Sequence, residues 1–69
     1  MHFVYNNRGI AYFDLQNYEQ AISDYNRAIE INPKYAEAYY NRGLLYQILD
    51  ETEKANADFA KAKQLGLKN

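Results

Sequence analysis

The feature that most constrains this chain is that it repeats itself at an offset of 34 residues, as between Tyr5 and Tyr39. Further identical pairs at this offset include Asn7 and Asn41, Arg8 and Arg42, Gly9 and Gly43, Tyr12 and Tyr46, Leu15 and Leu49, Glu19 and Glu53, Ala21 and Ala55, Asp24 and Asp58, and Ala28 and Ala62. Tyr25 corresponds to the similar Phe59. We therefore treat the chain as one small domain, residues 1–69, made of a first repeat at about 2–35 and a second at about 36–69.

Each repeat has apolar residues at the spacing of two amphipathic helices. In the first repeat, Tyr5, Tyr12 and Leu15 recur at helical intervals, and so do Ala21 and Tyr25 further on. The pattern predicts an all-α protein. The four helices are expected near residues 2–15, 18–31, 34–48 and 52–65.

Polar residues before the second helix of each repeat indicate where that helix begins. Asn17 is followed three positions later by Gln20, a pairing in which the two side chains cap each other's backbone N–H groups. Asp50 or Glu51, ahead of Glu53, is expected to cap the last helix in the same way.

Pro33 and Gly66 mark other boundaries. Proline cannot continue a helix but fits the first turn of the next, so Asn32-Pro33 predicts one helix ending and another beginning. Gly66 suits the left-handed residue that follows a helix.

Small and aromatic residues predict how the helices of one repeat pack. Glycine costs roughly 1 kcal/mol in a helix interior, so Gly9 and Gly43 indicate close approach of a partner helix. Tyr25 and Phe59 are the expected partners. Since aromatic residues make up 16% of the chain, eight of them tyrosine, the core is predicted to consist mainly of tyrosine and alanine.

This helical-hairpin pattern resembles the tetratricopeptide repeat, which joins an aromatic residue, a glycine, a tyrosine, an alanine and a second aromatic at fixed spacing. The first repeat matches with Tyr5, Arg8, Gly9, Tyr12, Ala21, Tyr25, Ala28 and Pro33, and the second with Tyr39, Arg42, Gly43, Tyr46, Ala55, Phe59 and Ala62. The resemblance implies two antiparallel helical hairpins stacked as a short right-handed α-solenoid.

The chain departs from the family pattern in two ways. Leu67 stands where the closing proline is usual, and arginine replaces leucine before each glycine. We expect Arg8 and Arg42 to pack their stems and pair with a nearby acid, the alternative being contact with an anionic ligand.

The resemblance implies a protein-interaction module whose first helices line a concave groove. Carried over by alignment, the groove positions are Phe3, Asn6, Asn7, Ile10, Phe13, Asp14, Glu37, Tyr40, Asn41, Leu44, Gln47 and Ile48. We expect Ile10, Phe13, Tyr40 and Leu44 to anchor a peptide or partner segment. The amides of Asn6, Asn7 and Asn41 are expected to pair with its backbone. The alternative is that Ile10, Tyr40 and Leu44 simply pack between helices.

A carboxylate clamp, the family's way of holding acidic chaperone tails, is not predicted. Asn41 matches a clamp asparagine, but Asn6 and Ile10 replace the lysine and asparagine expected in the first repeat.

The two ends of the stack differ in polarity. Ile22 and Ile29 of the first repeat would face a following repeat, whereas Asn56 and Lys63 hold those places in the second. This is typical of a terminal repeat. The apolar start of the first helix, at Phe3 and Val4, predicts either a fragment of a longer array or homodimerisation or domain exchange through this face, with assembly itself as the function.

Other classes of function are disfavoured. Eight Lys and Arg against nine Asp and Glu argue against nucleic-acid binding. With no cysteine and one histidine, we expect neither a metal site nor a cofactor. The chain contains no nucleophile–base constellation or phosphate-binding loop, so it is not expected to be an enzyme. The absence of a long apolar segment or a secretory signal predicts a cytoplasmic protein without a membrane partner.

Overall fold

The computed structural model describes residues 1–67. Lys68 and Asn69, the last two residues of the predicted second repeat, lie outside the described residues. The helices are α1 (His2–Asp14), α2 (Tyr18–Ile31), α3 (Ala36–Ile48) and α4 (Thr52–Gln64). The prediction of an all-α protein with two helical hairpins is confirmed.

Helices α1 and α2 form the first hairpin, and α3 and α4 form the second. Helix α2 packs against α3, so the stacking between hairpins is made mainly by these two helices. Helix α1 also touches α3, but α4 has no such contact with the first hairpin among the described residues. The first helices of the two units therefore lie side by side on one surface.

The turn between the hairpins corrects the predicted start of the third helix. Helix α3 begins at Ala36 rather than at 34. Asn32 organises the turn: its carbonyl accepts a 3.0 Å hydrogen bond from the Tyr35 N–H, and its side-chain oxygen accepts a 3.1 Å bond from the Lys34 N–H. Because these bonds close a turn around Pro33, the proline precedes the helix instead of occupying its first turn.

Three helices end in the same way, with one C-cap residue followed by a left-handed residue. The left-handed residues are Gln16 and Asp50, both with φ of 62°, and Gly66 with φ of 106°. The closing bonds run from the N–H of Asn17 to the carbonyl of Tyr12, from Glu51 to Tyr46 and from Leu67 to Ala62. This is the Schellman arrangement, which confirms the prediction for Gly66.

The predicted side-chain caps are wrong. Helix α2 follows Asn17 and α4 follows Glu51, but neither side chain bonds a backbone N–H. The backbone of Asn17, at φ −87° and ψ 75°, is not in the extended conformation usual for a capping residue. Because the Asn17 and Glu51 N–H groups close the preceding helices, the connection is too tight for that geometry.

The buried core is mostly alanine, with one tyrosine, Tyr25, and one leucine, Leu45, whereas the other tyrosines expected there are half-buried. Tyr25 and Leu45 are the largest fully buried side chains. The buried alanines are Ala21, Ala28, Ala36, Ala38, Ala55 and Ala62. Leu45 lies on α3 where α2 covers it, a position that the sequence reasoning did not single out.

The glycine contacts within each hairpin are confirmed. A Cβ atom placed on Gly9 would lie 2.6 Å from the Tyr25 ring, and one on Gly43 would lie 2.8 Å from the Phe59 ring. Both distances are shorter than any van der Waals contact. The two rings therefore sit against bare backbone, which only glycine permits.

Candidate partner-binding groove

The predicted groove positions lie along one face of α1 and one face of α3, because they recur at intervals of three and four residues. The two faces are joined at their centre. Asn41 Nδ2 donates a 3.0 Å hydrogen bond to Asn6 Oδ1. This bond ties α1 to α3 and fixes the spacing of the two walls.

Asn6 forms the floor of this surface and does not reach a ligand. It is only 3% exposed, and its Nδ2 donates a 3.3 Å hydrogen bond to the Tyr35 hydroxyl. The expectation that Asn6 pairs with a ligand backbone is therefore corrected, since its amide is used between helices. The alignment could not reveal this, because Tyr40 stands at the equivalent position of the second repeat.

The remaining groove positions differ in exposure. The exposed ones are Phe3, Asn7, Ile10, Asp14, Glu37, Gln47 and Ile48, and the half-buried ones are Phe13, Tyr40, Asn41 and Leu44. Phe3, Ile10 and Ile48 are apolar yet 56%, 38% and 50% exposed. A partner that covered them would remove this apolar surface from water.

Phe13 and Tyr40 pack mainly inside their own hairpins. The Phe13 ring meets the Tyr18 ring edge-on with centroids 5.9 Å apart, and the Tyr40 ring lies 5.6 Å from Phe59. For these two residues the packing alternative raised by the sequence has direct support.

At the Phe3 end of the groove, aromatic rings cluster. Phe3 and His2 both lie against Tyr35, with centroids 5.2 Å and 4.7 Å away. An open cavity here is lined by these three residues, Glu37 and Leu67, among others. The start of α1, the inter-hairpin turn and the residues that follow α4 thus line one cavity at this end of the surface.

Two tyrosines near the groove have raised pKa values, because they are buried and lie near carboxylates. Burial, followed by the Asp14 and Asp24 carboxylates, raises the pKa of Tyr25 to about 12. Burial and then the Glu37 carboxylate also raise the pKa of Tyr35, while its hydrogen bond with Asn6 acts in the opposite direction. Both hydroxyls stay protonated at neutral pH.

The two arginines have the predicted acid partners. Arg8 donates to Asp24 and Arg42 to Asp58, each through Nε and Nη2 with both distances 2.8 Å. These charge-assisted bonds raise the pKa of each guanidinium. Since the guanidinium groups hold buried aspartates, the structure supports the structural role over contact with an anion.

Each guanidinium also lies beside two tyrosine rings, which the sequence reasoning missed. The distances to the ring centroids are 5.5 and 5.9 Å for Arg8 with Tyr5 and Tyr12, and 5.6 and 5.8 Å for Arg42 with Tyr39 and Tyr46. The identical spacing of the Tyr-Arg-Tyr triplets in the two repeats was the available signal. An arginine at this position can do what leucine cannot, because one side chain both packs among the tyrosine rings and pairs with the aspartate.

Within residues 1–67, no three His, Cys, Asp or Glu side chains are grouped so that they could hold a metal ion. No described helix has the length and apolar character needed to cross a bilayer.

Two stacked helical hairpins, with the first helices side by side, define a helical-repeat protein. Comparison with family models gives a match to the TPR repeat over residues 9–49 and to the tetratricopeptide repeat over residues 36–65. The chain therefore belongs to the tetratricopeptide-repeat family, whose repeats are generally protein–protein interaction modules. A comparison with curated proteins finds no match.

Proposed function

We propose that this protein binds a peptide or partner segment in the groove formed by α1 and α3. The observation that carries the proposal is the exposure of Ile10 and Ile48, 38% and 50%, on faces held together by the Asn6–Asn41 hydrogen bond. Isolated exposed apolar residues are ordinary on a protein surface. These two lie on a rigid surface, beside half-buried Leu44 and Phe13.

Rigidity and polar groups support the same proposal. Asn41 uses one N–H on Asn6, which leaves its amide oxygen and second N–H to pair with the backbone of a bound segment. Asn7, which follows the floor residue Asn6 in the sequence, is exposed. In the binding mechanism, Leu44, Ile10 and Ile48 supply apolar contact, while Asn7 and Asn41 set the orientation of the segment.

The test is to select binders from a displayed library of random 12-residue peptides and to measure their affinity for variants. Leu44→Glu is expected to weaken groove binding by more than tenfold, because it places a charge in the apolar contact. Ala57→Glu on exposed α4 introduces the same charge outside the groove and should leave affinity unchanged.

Circular dichroism of each variant separates binding from folding. If Leu44→Glu loses its helicity, Leu44 belongs to the core, and the half-exposed Ile48 replaces it in an Ile48→Ser variant. Peptides that bind all of these variants equally well would contradict the proposal.

Self-association is the second candidate function, and the outer surface of α1 favours it. Val4 is 60% exposed, whereas Ala38, its equivalent on α3, is fully buried beneath α2. A second copy that covered α1 would bury this side chain. Light scattering across a concentration series should then show a dimer that Phe3→Ser/Val4→Ser converts to monomer and Ile48→Ser does not. A wild-type monomer at every concentration would exclude this function.

A further inference from the structure

The charged residues of the groove have one sign. Asp14 and Glu37 are its charged positions, both are exposed, and neither takes part in an ion pair among the described residues. By contrast, the carboxylates outside the groove at Asp24 and Asp58 are paired with arginine. Lys34 lines the same cavity as Glu37, so the groove position with an exposed carboxylate and no basic neighbour in its helical turn is Asp14.

Glu37 has a local explanation, since it lies in the first turn of α3, where the helix dipole favours a carboxylate. Asp14 has none. It is the last residue of α1, the end at which the dipole disfavours negative charge, and no basic residue lies in that turn. The equivalent residue of the second repeat is the uncharged Ile48.

The surroundings of Asp14 indicate what it could bind. Ile10 lies one helical turn before it on the same face of α1, and Ile48 lies at the corresponding end of α3. Asp14, which has no ion-pair partner among the described residues, thus lies one turn from the exposed Ile10. A lysine or arginine side chain has the complementary form, an apolar stem with a cationic end.

This inference rests on the proposed function. We propose that the groove binds a segment of a protein partner in which a lysine or arginine is flanked by apolar residues. Asp14 binds the cationic group and Ile10 and Ile48 contact the neighbouring apolar side chains. The Asp14 carboxylate disfavours an acidic segment.

The same peptide selection tests this inference when it is run in parallel on the wild type and on Asp14→Asn. Wild-type binders should be enriched in Lys or Arg beside aliphatic or aromatic residues. Their affinity should fall about two- to fivefold in Asp14→Asn, and added salt should weaken binding to the wild type more than binding to the variant. Glu53→Gln, which removes one exposed carboxylate from α4, is the matched control and should leave affinity unchanged.

Thermal stability provides a second readout, because replacing Asp14 should lower stability if the residue serves the fold and should not if it serves binding. Asp14→Asn should raise the melting temperature by about 1–3 °C, because it removes an unfavourable charge from the helix end. Weaker binding combined with higher stability supports the inference. A lower melting temperature would overturn it, since Asp14 would then be stabilising the fold.

The remaining outcomes separate this inference from the proposed function. Binders that depend on Leu44 and Ile48 but lack basic residues, or are indifferent to Asp14→Asn, overturn the inference and leave groove binding intact. If no selected peptide is weakened by Leu44→Glu or Ile48→Ser, the groove is not the binding site and both proposals fail.

Discussion

The two repeats contain the same arginine–aspartate pair in different surroundings. Arg8 and Arg42 each bind a buried aspartate with two 2.8 Å bonds. Yet the side chain of Arg8 is 57% exposed and that of Arg42 only 20%. Arg42 has an additional 2.8 Å bond from Nη1 to Asn26 of α2, and within residues 1–67 Arg8 has no equivalent bond.

The difference comes from the neighbouring helix and not from the local sequence. Helix α2 covers α3, so Ala38 and Leu45 are fully buried, while the equivalent Val4 and Ala11 on α1 are exposed. One helix pattern thus yields an interior helix in the second repeat and an open surface in the first. The environment of each residue depends on its place in the stack.

Replacing the two arginines gives the largest expected contrast. Arg42→Leu should lower the free energy of unfolding by about 3 kcal/mol, because it leaves the buried Asp58 carboxylate without its partner. Asp24 is as buried as Asp58, but Arg8→Leu should cost less, because Arg8 is 57% exposed and its removal opens Asp24 to water. Urea unfolding of the two variants measures the difference.

Arg42→Leu/Asp58→Ala is the control, because removing both charges should recover much of the lost stability. Equal losses for Arg8→Leu and Arg42→Leu would show that the neighbouring helix does not matter.

Alkaline pH should destabilise the packing of the first repeat and not that of the second, because Tyr25 titrates and the equivalent Phe59 does not. The pKa of Tyr25 rises from 10.0 to about 12 on folding. The folded protein therefore holds this proton more tightly than the unfolded chain. The associated stability is fully present below about pH 10, and about 2 kcal/mol of it should be lost as the pH rises to about 12.

Urea unfolding of the wild type and Tyr25→Phe from pH 9 to pH 12 checks this, since all other tyrosines are common to both. The wild type should lose more stability over this range than the variant. Parallel pH profiles would mean that Tyr25 does not carry the effect.

The helix ends give the smallest expected effect. Gln16→Gly should stabilise the protein by about 0.5–1 kcal/mol, because glycine adopts the φ of 62° without the strain of a side chain. Asp50→Gly should gain less, since aspartate tolerates this conformation better than glutamine does. Thermal unfolding measures both.

Gln20→Gly is the matched control, because Gln20 lies within helix α2 and glycine there should destabilise by about 1 kcal/mol. A loss of stability in Gln16→Gly would contradict the explanation based on backbone strain.

The sequence by itself determined the helices and the contacts inside each hairpin. Helical periodicity placed three of the four helix starts at the observed residue, and Gly9 with Tyr25 indicated the close packing of α1 on α2. These features depend on residues near one another in the chain, where spacing and side-chain size are sufficient. The repeat also identified the groove positions, whose binding role remains a prediction.

Only the tertiary structure decided which equivalent residues are buried. It placed Asn6 beneath the groove, bonded to Tyr35 and Asn41, and it buried Leu45 while leaving Ala11 exposed. It also showed that backbone bonds, not the side chains of Asn17 and Glu51, complete the helix connections. The physical reason is that burial and hydrogen-bond partners depend on which helix lies alongside, and a sequence repeated in two copies does not specify that.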